Sequence, residues 1–406
     1  MSSLSADVLH GAGHEVLVLG AAGLFALTGS KIAQRTALPV PAILLLLAAI
    51  ASDAFDGLTT LFSPADVVRT ATIALIPVLF SGGVEMGLRT FRRSAGPILA
   101  LGLAGTAATA AILAVAIHLI VGLSWLPAAI LGVAIAPTDP AVMFSVLAGR
   151  EIEGDSAAIL KGEAGANDPV GIAVLLALVG VAASGHGSVW TALGSVGMEL
   201  GIGSVVGVGG GFALVWIARN VSLPEHGLYP LRTLAGALVI FGGAAALHGS
   251  GFIAVFIAGM IVGDAKLPHE AEIRSFHEAV SQLGEIAVFV PLGLTITLSS
   301  FLDARQVLEG VALALILAVV ARPVPTVLLL LPSSLAANER YLIAWAGLKG
   351  AVPIMLATLP VVDGIDHADA IFHLAVIVVL VSVTLQAASI PWVAARLGLP
   401  LRTIDR

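Results

Sequence analysis

The chain has 406 residues, of which 19 are Lys or Arg and 26 are Asp or Glu, so that only 11% are charged while 58% are hydrophobic. A soluble domain carries roughly a quarter of its residues as charges. This composition, with a mean hydropathy of +1.04, excludes an ordinary soluble protein and a disordered one and describes a polytopic membrane protein embedded in lipid. The net charge of −7 offers no basic stripe to nucleic acid, and a chain without cysteine has no disulfide, thiol nucleophile or Cys-ligated metal.

Apolar stretches near the length of about 20 residues that crosses a bilayer as a helix recur thirteen times, at 14–32, 37–52, 66–86, 95–121, 124–148, 157–184, 189–218, 230–247, 249–263, 273–298, 305–331, 340–361 and 369–395. No basic residue precedes the first of them, so a cleaved signal peptide is not expected. Assigning alternate loops, one side collects fourteen of the 19 basic residues, from Lys31 and Arg35 to Arg402 and Arg406. The other side collects only Arg69 and Arg305, with acids such as Asp53, Asp303 and Asp363. Because Lys and Arg beside spans stay cytoplasmic, the expectation is an N-terminus outside and a C-terminus inside a plasma (inner) membrane. The charges left within or beside spans are Lys161, Arg322 and Lys349, with the acids Glu85, Asp139, Glu163, Asp168, Glu199 and Glu285. Ionisable groups at that depth are costly, which makes each a functional candidate.

The fifth span contains Ala136-Pro137-Thr138-Asp139-Pro140 and the twelfth Gly347-Leu348-Lys349-Gly350-Ala351-Val352-Pro353. Proline removes a backbone donor and clashes with the preceding turn, so both helices should open here, supported by Pro137, Pro140 and Pro353. With 189–218 as a linker helix, 14–184 and 230–395 form two six-span halves, each broken in its fifth span. Paired breaks at matching positions point to inverted repeats with crossed, discontinuous helices and a site near the midplane. Opened helix ends leave partial charges. Asp139 either satisfies exposed amides there or ligates an ion, and Lys349 either satisfies exposed carbonyls or ligates directly.

The sixth span runs Lys161-Gly162-Glu163-Ala164-Gly165-Ala166-Asn167-Asp168-Pro169. Helical spacing puts Glu163 and Asn167 on one face, with Ala164 and Asp168 about 100° around from it. Asp168 is therefore the bare carboxylate, with Asn167 beside it and a small residue one turn below. Dehydration favours a neutral carboxyl and a bound cation favours its charged form, so proton and cation compete for one group, which is the core of an antiporter. Arg322 keeps its charge in the eleventh span and needs an acid partner, for which Glu163 is the candidate. Gly82 and Gly83 permit close helix approach, after which Glu85 either guards a cytoplasmic funnel or caps the interface near Arg89. Glu199 and Glu285 have no partner by spacing and read as interhelical hydrogen bonders. The run Gly207 to Gly211 lacks the features of a dinucleotide site and reads as tight helix packing.

Taken in order, Thr138-Asp139-Pro140, Glu163 with Asn167-Asp168-Pro169, His248-Gly249-Ser250-Gly251-Phe252, Phe289 to Gly293 and Gly347 to Val352 resemble the cation:proton antiporter superfamily. The branch it resembles most is the sodium- or potassium-proton exchangers with an Asn-Asp motif. The resemblance implies a single exchanger domain in a homodimer, each protomer moving a core domain like an elevator against a dimerisation domain. It implies that Asp168 carries proton or cation in turn, with Asn167 as neighbour, Thr138 as a hydroxyl or backbone ligand, Asp139 supporting the crossing or the ion, and Glu163 paired with Arg322. It also implies electroneutral exchange of one Na+ or K+ for one H+, because position 167 is Asn where electrogenic relatives have Asp. Two positions depart from the pattern: Ala164 stands where Ser is common and Lys349 where Arg is frequent. Some relatives carry a cytoplasmic regulatory domain, which is not expected in a chain that ends at Arg406. The competing readings are a sodium-coupled symporter of an organic anion on a related fold, which should show an anion-binding Arg, and a channel, which conducts without countertransport. With neither an HExxH pair nor a Cys nucleophile, no enzyme and no cofactor are expected.

Overall fold

The structure, a computed structural model, describes residues 39–55, 58, 61–139, 150–152, 155–184, 189–298, 303–399 and 401–403, with scattered helical positions between 13 and 24. Most of the first expected span and Pro140 lie outside the described residues. Among the described residues the helices of nine residues or more are α1 (Val40–Ala54), α2 (Pro64–Met86), α3 (Ala95–Ile120), α4 (Trp125–Ala134), α5 (Asp155–Ser184), α6 (Val189–Asn220), α7 (Leu228–Ala246), α8 (Gly251–Gly263), α9 (Glu270–Leu294), α10 (Ala304–Leu329), α11 (Ala337–Trp345), α12 (Ala351–Val362) and α13 (Ala368–Arg396). Seven of them are long and apolar enough to cross a membrane, and four more are apolar but shorter.

Local sequence accounts for the ends of several helices. Ser63-x-x-Asp66 is a capping box on α2: the Ser63 hydroxyl accepts from the Asp66 N–H and the Asp66 carboxylate from the Ser63 N–H, each at 3.2 Å. His248 takes a left-handed φ of 57° between α7 and α8, where His248-Gly249 divides two expected spans. Three helices contain π-type turns, at Ala100–Gly105 in α3, Leu317–Ala321 in α10 and Ser382–Gln386 in α13.

Packing sorts the helices into two groups. In one, α2 lies against α8 and α9, with α1 on α9 and α7 on α8. In the other, α3 lies on α4, α5 on α4 and on the π turn of α3, and α12 and α10 on α13. Helix α6 touches both groups, through α7 and α8 and through α5. The α2–α8 contact depends on Gly83, whose place above the Phe256 carbonyl and Gly259 leaves no room for a β-carbon. Large apolar side chains such as Leu119, Val205 and Val239 stand outward, each more than 70% exposed, as lipid-facing residues do.

The architecture is all-α, with one short ladder added to it. Arg150–Ile152 (β1) and Leu401–Thr403 (β2) pair antiparallel, Glu151 opposite Arg402. Strands of three residues carry no detectable periodicity, so sequence reading misses them.

Candidate functional site

Helix α4 stops at Ala134, before Pro137, and α11 stops at Trp345, six residues before α12 begins at Ala351. The two interruptions meet. The Asp139 N–H donates to the Leu348 carbonyl at 2.8 Å, and the Lys349 ammonium donates to the carbonyls of Ala136 (2.5 Å) and Pro137 (2.9 Å). Lys349 is fully buried, and its own N–H donates to the Ser382 hydroxyl at 3.0 Å, in the π turn of α13. A buried carbonyl without a donor costs about 1–3 kcal/mol, so Lys349 satisfies two groups that proline and the helix end leave open. Gly350 packs directly on the Asp139 carboxylate. Pro137 seats on Gly171 of α5, and Pro353 is buried in the first turn of α12.

Helix α5 crosses beside these breaks and divides its polar residues between two faces. Glu163 turns to Arg322, whose Nη1 and Nη2 donate to its two oxygens at 2.7 and 2.9 Å. Both residues are buried, and the bidentate geometry is the strong form of this pair. Arg322 follows the π turn of α10, and its guanidinium lies over Gly347 in the second interruption. On the same face the Asn167 amide donates to the Thr138 hydroxyl at 2.8 Å. The other face opens on a cleft with about 70 Å³ of space for water-sized groups, room for an ion and a few waters.

Three helices each present one stripe to this cleft. From α5 come Lys161, Ala164, Gly165 and Asp168, from α2 Leu75, Val78, Leu79 and Gly82, and from α9 Glu285, Val288 and Phe289. The spacing i, i+3, i+4, i+7 is that of a single helix face. Phe256 of α8, Asp139 and the start of α12 complete the lining. Asp168 is 6% exposed, and its Oδ1, like the adjacent Asn167 Oδ1, has no hydrogen-bond partner among the described residues. Buried acceptor oxygens without donors call for a hydrogen-bond donor or a cation, and of the two groups only the Asp168 carboxylate can take up a proton. Toward the mouth, Lys161 donates to Glu85 at 3.2 Å with side chains 31% and 44% exposed, so Glu85 is held by Lys161 and not by Arg89. Glu285 is the lining residue whose position the sequence leaves open. Its signal is a lone acid one turn before the buried run Val288–Phe289 on α9. Glu199 does not line the cleft.

Interrupted helices that cross in an apolar bundle, with a buried carboxylate at the crossing, define a membrane transporter of the broken-helix class. The sodium/hydrogen exchanger transmembrane family model matches residues 22–396. The chain belongs to that family. It is 32% identical over 386 residues to the K(+)/H(+) antiporter NhaP of Alkalimonas amylolytica, covering 95% of this chain and 67% of that one. It is 33% identical over 372 residues to the K(+)/H(+) antiporter NhaP2 of Shewanella sp. strain ANA-3, covering 91% and 64%. It thus spans about two thirds of the length of these relatives. Its fold is similar to that of the sodium proton antiporter MjNhaP1 from Methanocaldococcus jannaschii at pH 8, with a TM-score of 0.79 and 24% identity over 96% of this chain and 99% of that one.

Proposed function

We propose that the chain is a secondary antiporter that exchanges a monovalent cation, Na+ or K+, for H+ across the membrane, one for one, by competition at Asp168. The observation that carries this reading is the buried Asp168, which lines the cleft where the two interruptions cross and whose Oδ1 has no donor among the described residues. The names of the relatives, K(+)/H(+) antiporters in Alkalimonas and Shewanella, agree with it.

In this reading Asp168 is neutral with a proton or charge-compensated with a cation, and an empty carboxylate crossing the bilayer is penalised by its own dehydration. Thr138 orients Asn167, the neighbour of the exchanging acid, Asp168 faces the cation with its carboxylate, and Asp139 supports the crossing or completes the ion shell. Glu163 and Arg322 brace α5 against α10, and Lys349 closes the crossing. Two inverted six-span repeats, about 14–184 and 230–395 joined by a linker helix at 189–218, form one exchanger domain of about thirteen spans. In a homodimer within the lipid bilayer, the group carrying α5 moves against the group carrying α2, α8 and α9.

The proposed orientation places the C-terminus in the cytoplasm. Supporting contacts join the basic loops at one end: the Arg89 N–H to Asp264 (2.6 Å), Arg93 to Asp155 (3.4 Å), Arg219 to the Lys266 carbonyl (3.4 Å), and β1 to β2. The acidic loops meet at the opposite end, where the Leu298 N–H donates to Asp53 at 3.1 Å.

The test is a proton-flux assay in sealed vesicles with Na+, K+ and Li+ added separately. The intact chain should move protons on addition of Na+ or K+, and Asp168→Asn should abolish the movement. Undiminished exchange in that variant removes the central claim, and ion currents without countertransport point to a channel instead.

A further inference from the structure

The exchange reading uses two carboxylates of the cleft, Asp168 and Asp139. Another, Glu285, lies on the facing wall. Its helix, α9, packs with α2 and α1 in the group that does not contain Asp168. On α9 its stripe continues as Val288 and Phe289, and its neighbours across the cleft from α2 are Leu75, Val78 and Leu79. A carboxylate on such an apolar stripe is expensive to keep unless it serves something, and among the described residues Glu285 makes neither a hydrogen bond nor an ion pair. It lies within charge range of Asp139 at the crossing and of Glu85 at the mouth, which brackets it between the two.

The charge balance of the cleft identifies what it attracts. Three carboxylates line it, Asp139, Asp168 and Glu285, against one ammonium, Lys161, which is already bonded to Glu85. Asp168, whose buried Oδ1 has no donor among the described residues, lines the same space, so the cleft is a container for positive charge. An apolar-walled cleft of one sign focuses its field and concentrates counter-ions. Along α5, Lys161 and Asp168 are seven residues apart, about 10 Å of helix rise, with only Ala164 and Gly165 on the stripe between them. A cation entering past the Lys161–Glu85 pair therefore has a stretch to travel where α5 offers no oxygen, and the facing wall supplies one through Glu285.

We propose that Glu285 is a second cation subsite of the cleft, holding a partly hydrated monovalent cation on its way between the mouth and Asp168. The proposal rests on the exchange reading above and adds to it a site on the opposite helix group. Because that group is the one Asp168 moves against, Glu285 serves the side to which the cleft opens and does not travel with the exchanging acid.

The test uses the full chain in proteoliposomes, with Rb+ as the probe of direct binding. Glu285→Gln should raise the apparent KM for the driving cation about tenfold and leave the maximal rate within twofold, and Glu285→Asp should recover most of the loss. In purified protein, Asp168→Asn should retain weak Rb+ binding that the Asp168→Asn/Glu285→Gln double variant loses. An unchanged KM, or a lowered maximal rate at unchanged KM, overturns the proposal and leaves Glu285 idle or structural. If Glu285→Gln does not fold, the smaller KM shift of Glu285→Asp and the Rb+ binding of Asp168→Asn decide. Exchange that survives Asp168→Asn defeats the parent reading, whereas a flat Glu285 series with a dead Asp168→Asn defeats only this one.

Discussion

Glu163 and Arg322 bury one charge of each sign beside the site, at 1% and 4% exposure. Their two short bonds compensate the dehydration of both groups, but only as a pair, because removing one partner strands the other in a low dielectric at a cost of about 3–5 kcal/mol. Replacing both with apolar groups of similar volume is much milder. The pair also faces away from the cleft, since Glu163 is on the Asn167 side of α5. Glu163→Gln should therefore lower folded yield and melting temperature in detergent sharply, and Glu163→Leu/Arg322→Met should recover much of both. Protein that folds in either case should keep the parent KM for the cation. A stable variant with an altered KM would transfer Glu163 from the frame to the ion site.

At the scale of elements, the interruptions work because small residues let charged side chains sit against backbone. Gly347 gives its place to the Arg322 guanidinium and Gly350 to the Asp139 carboxylate, so alanine at these two positions should separate stability from transport. Gly347→Ala displaces Arg322 from Glu163 and should behave as a folding defect, read as a drop in melting temperature. Gly350→Ala pushes Asp139 toward the cleft and should reduce the exchange rate at least tenfold with a smaller thermal effect. Equal effects of the two on rate and stability would argue against that division. The interruptions themselves were legible, because Pro137 and Pro353 remove backbone donors and Gly347 and Gly350 are poor helix formers. So were the two faces of α5, whose 3.6-residue repeat separates Glu163 and Asn167 from Ala164 and Asp168. The partners of Glu85 and the place of Glu285 were not legible, because a side chain's neighbours on another helix depend on rotation about that helix's axis. A nearly uniform apolar sequence leaves that rotation undetermined. The π turns were equally silent, although all three meet this region: Gly102 packs on Ala166, Arg322 follows the second, and Ser382 accepts from Lys349.

At the scale of the molecule, the division of helices into two groups bears on stoichiometry. Asp168 is carried by the group of α3 to α5 and α10 to α13, and Glu285 by the group of α1, α2 and α7 to α9. If the first group moves relative to the second, only charges on the first cross the membrane field. Glu163 and Arg322 cancel there, and Asn167 adds no charge. In the proposed exchange Asp168 crosses neutral in either loaded state, and every fixed charge of that group, Lys349 and Asp139 included, makes both passages, so a cycle of one cation for one proton transfers no net charge. Glu285 adds a carboxylate to the cleft without adding a transported charge. Each uncompensated charge would respond to about 2.3 kcal/mol per 100 mV, equivalent to about a 50-fold change in the equilibrium cation ratio. Proteoliposomes clamped at +100 mV or −100 mV with a potassium-free ionophore system, and driven by the same Na+ gradient, should therefore reach the same final pH difference. A final pH difference that follows the imposed voltage would mean that a second charge, with Asp139 the first to test by Asp139→Asn, moves with Asp168.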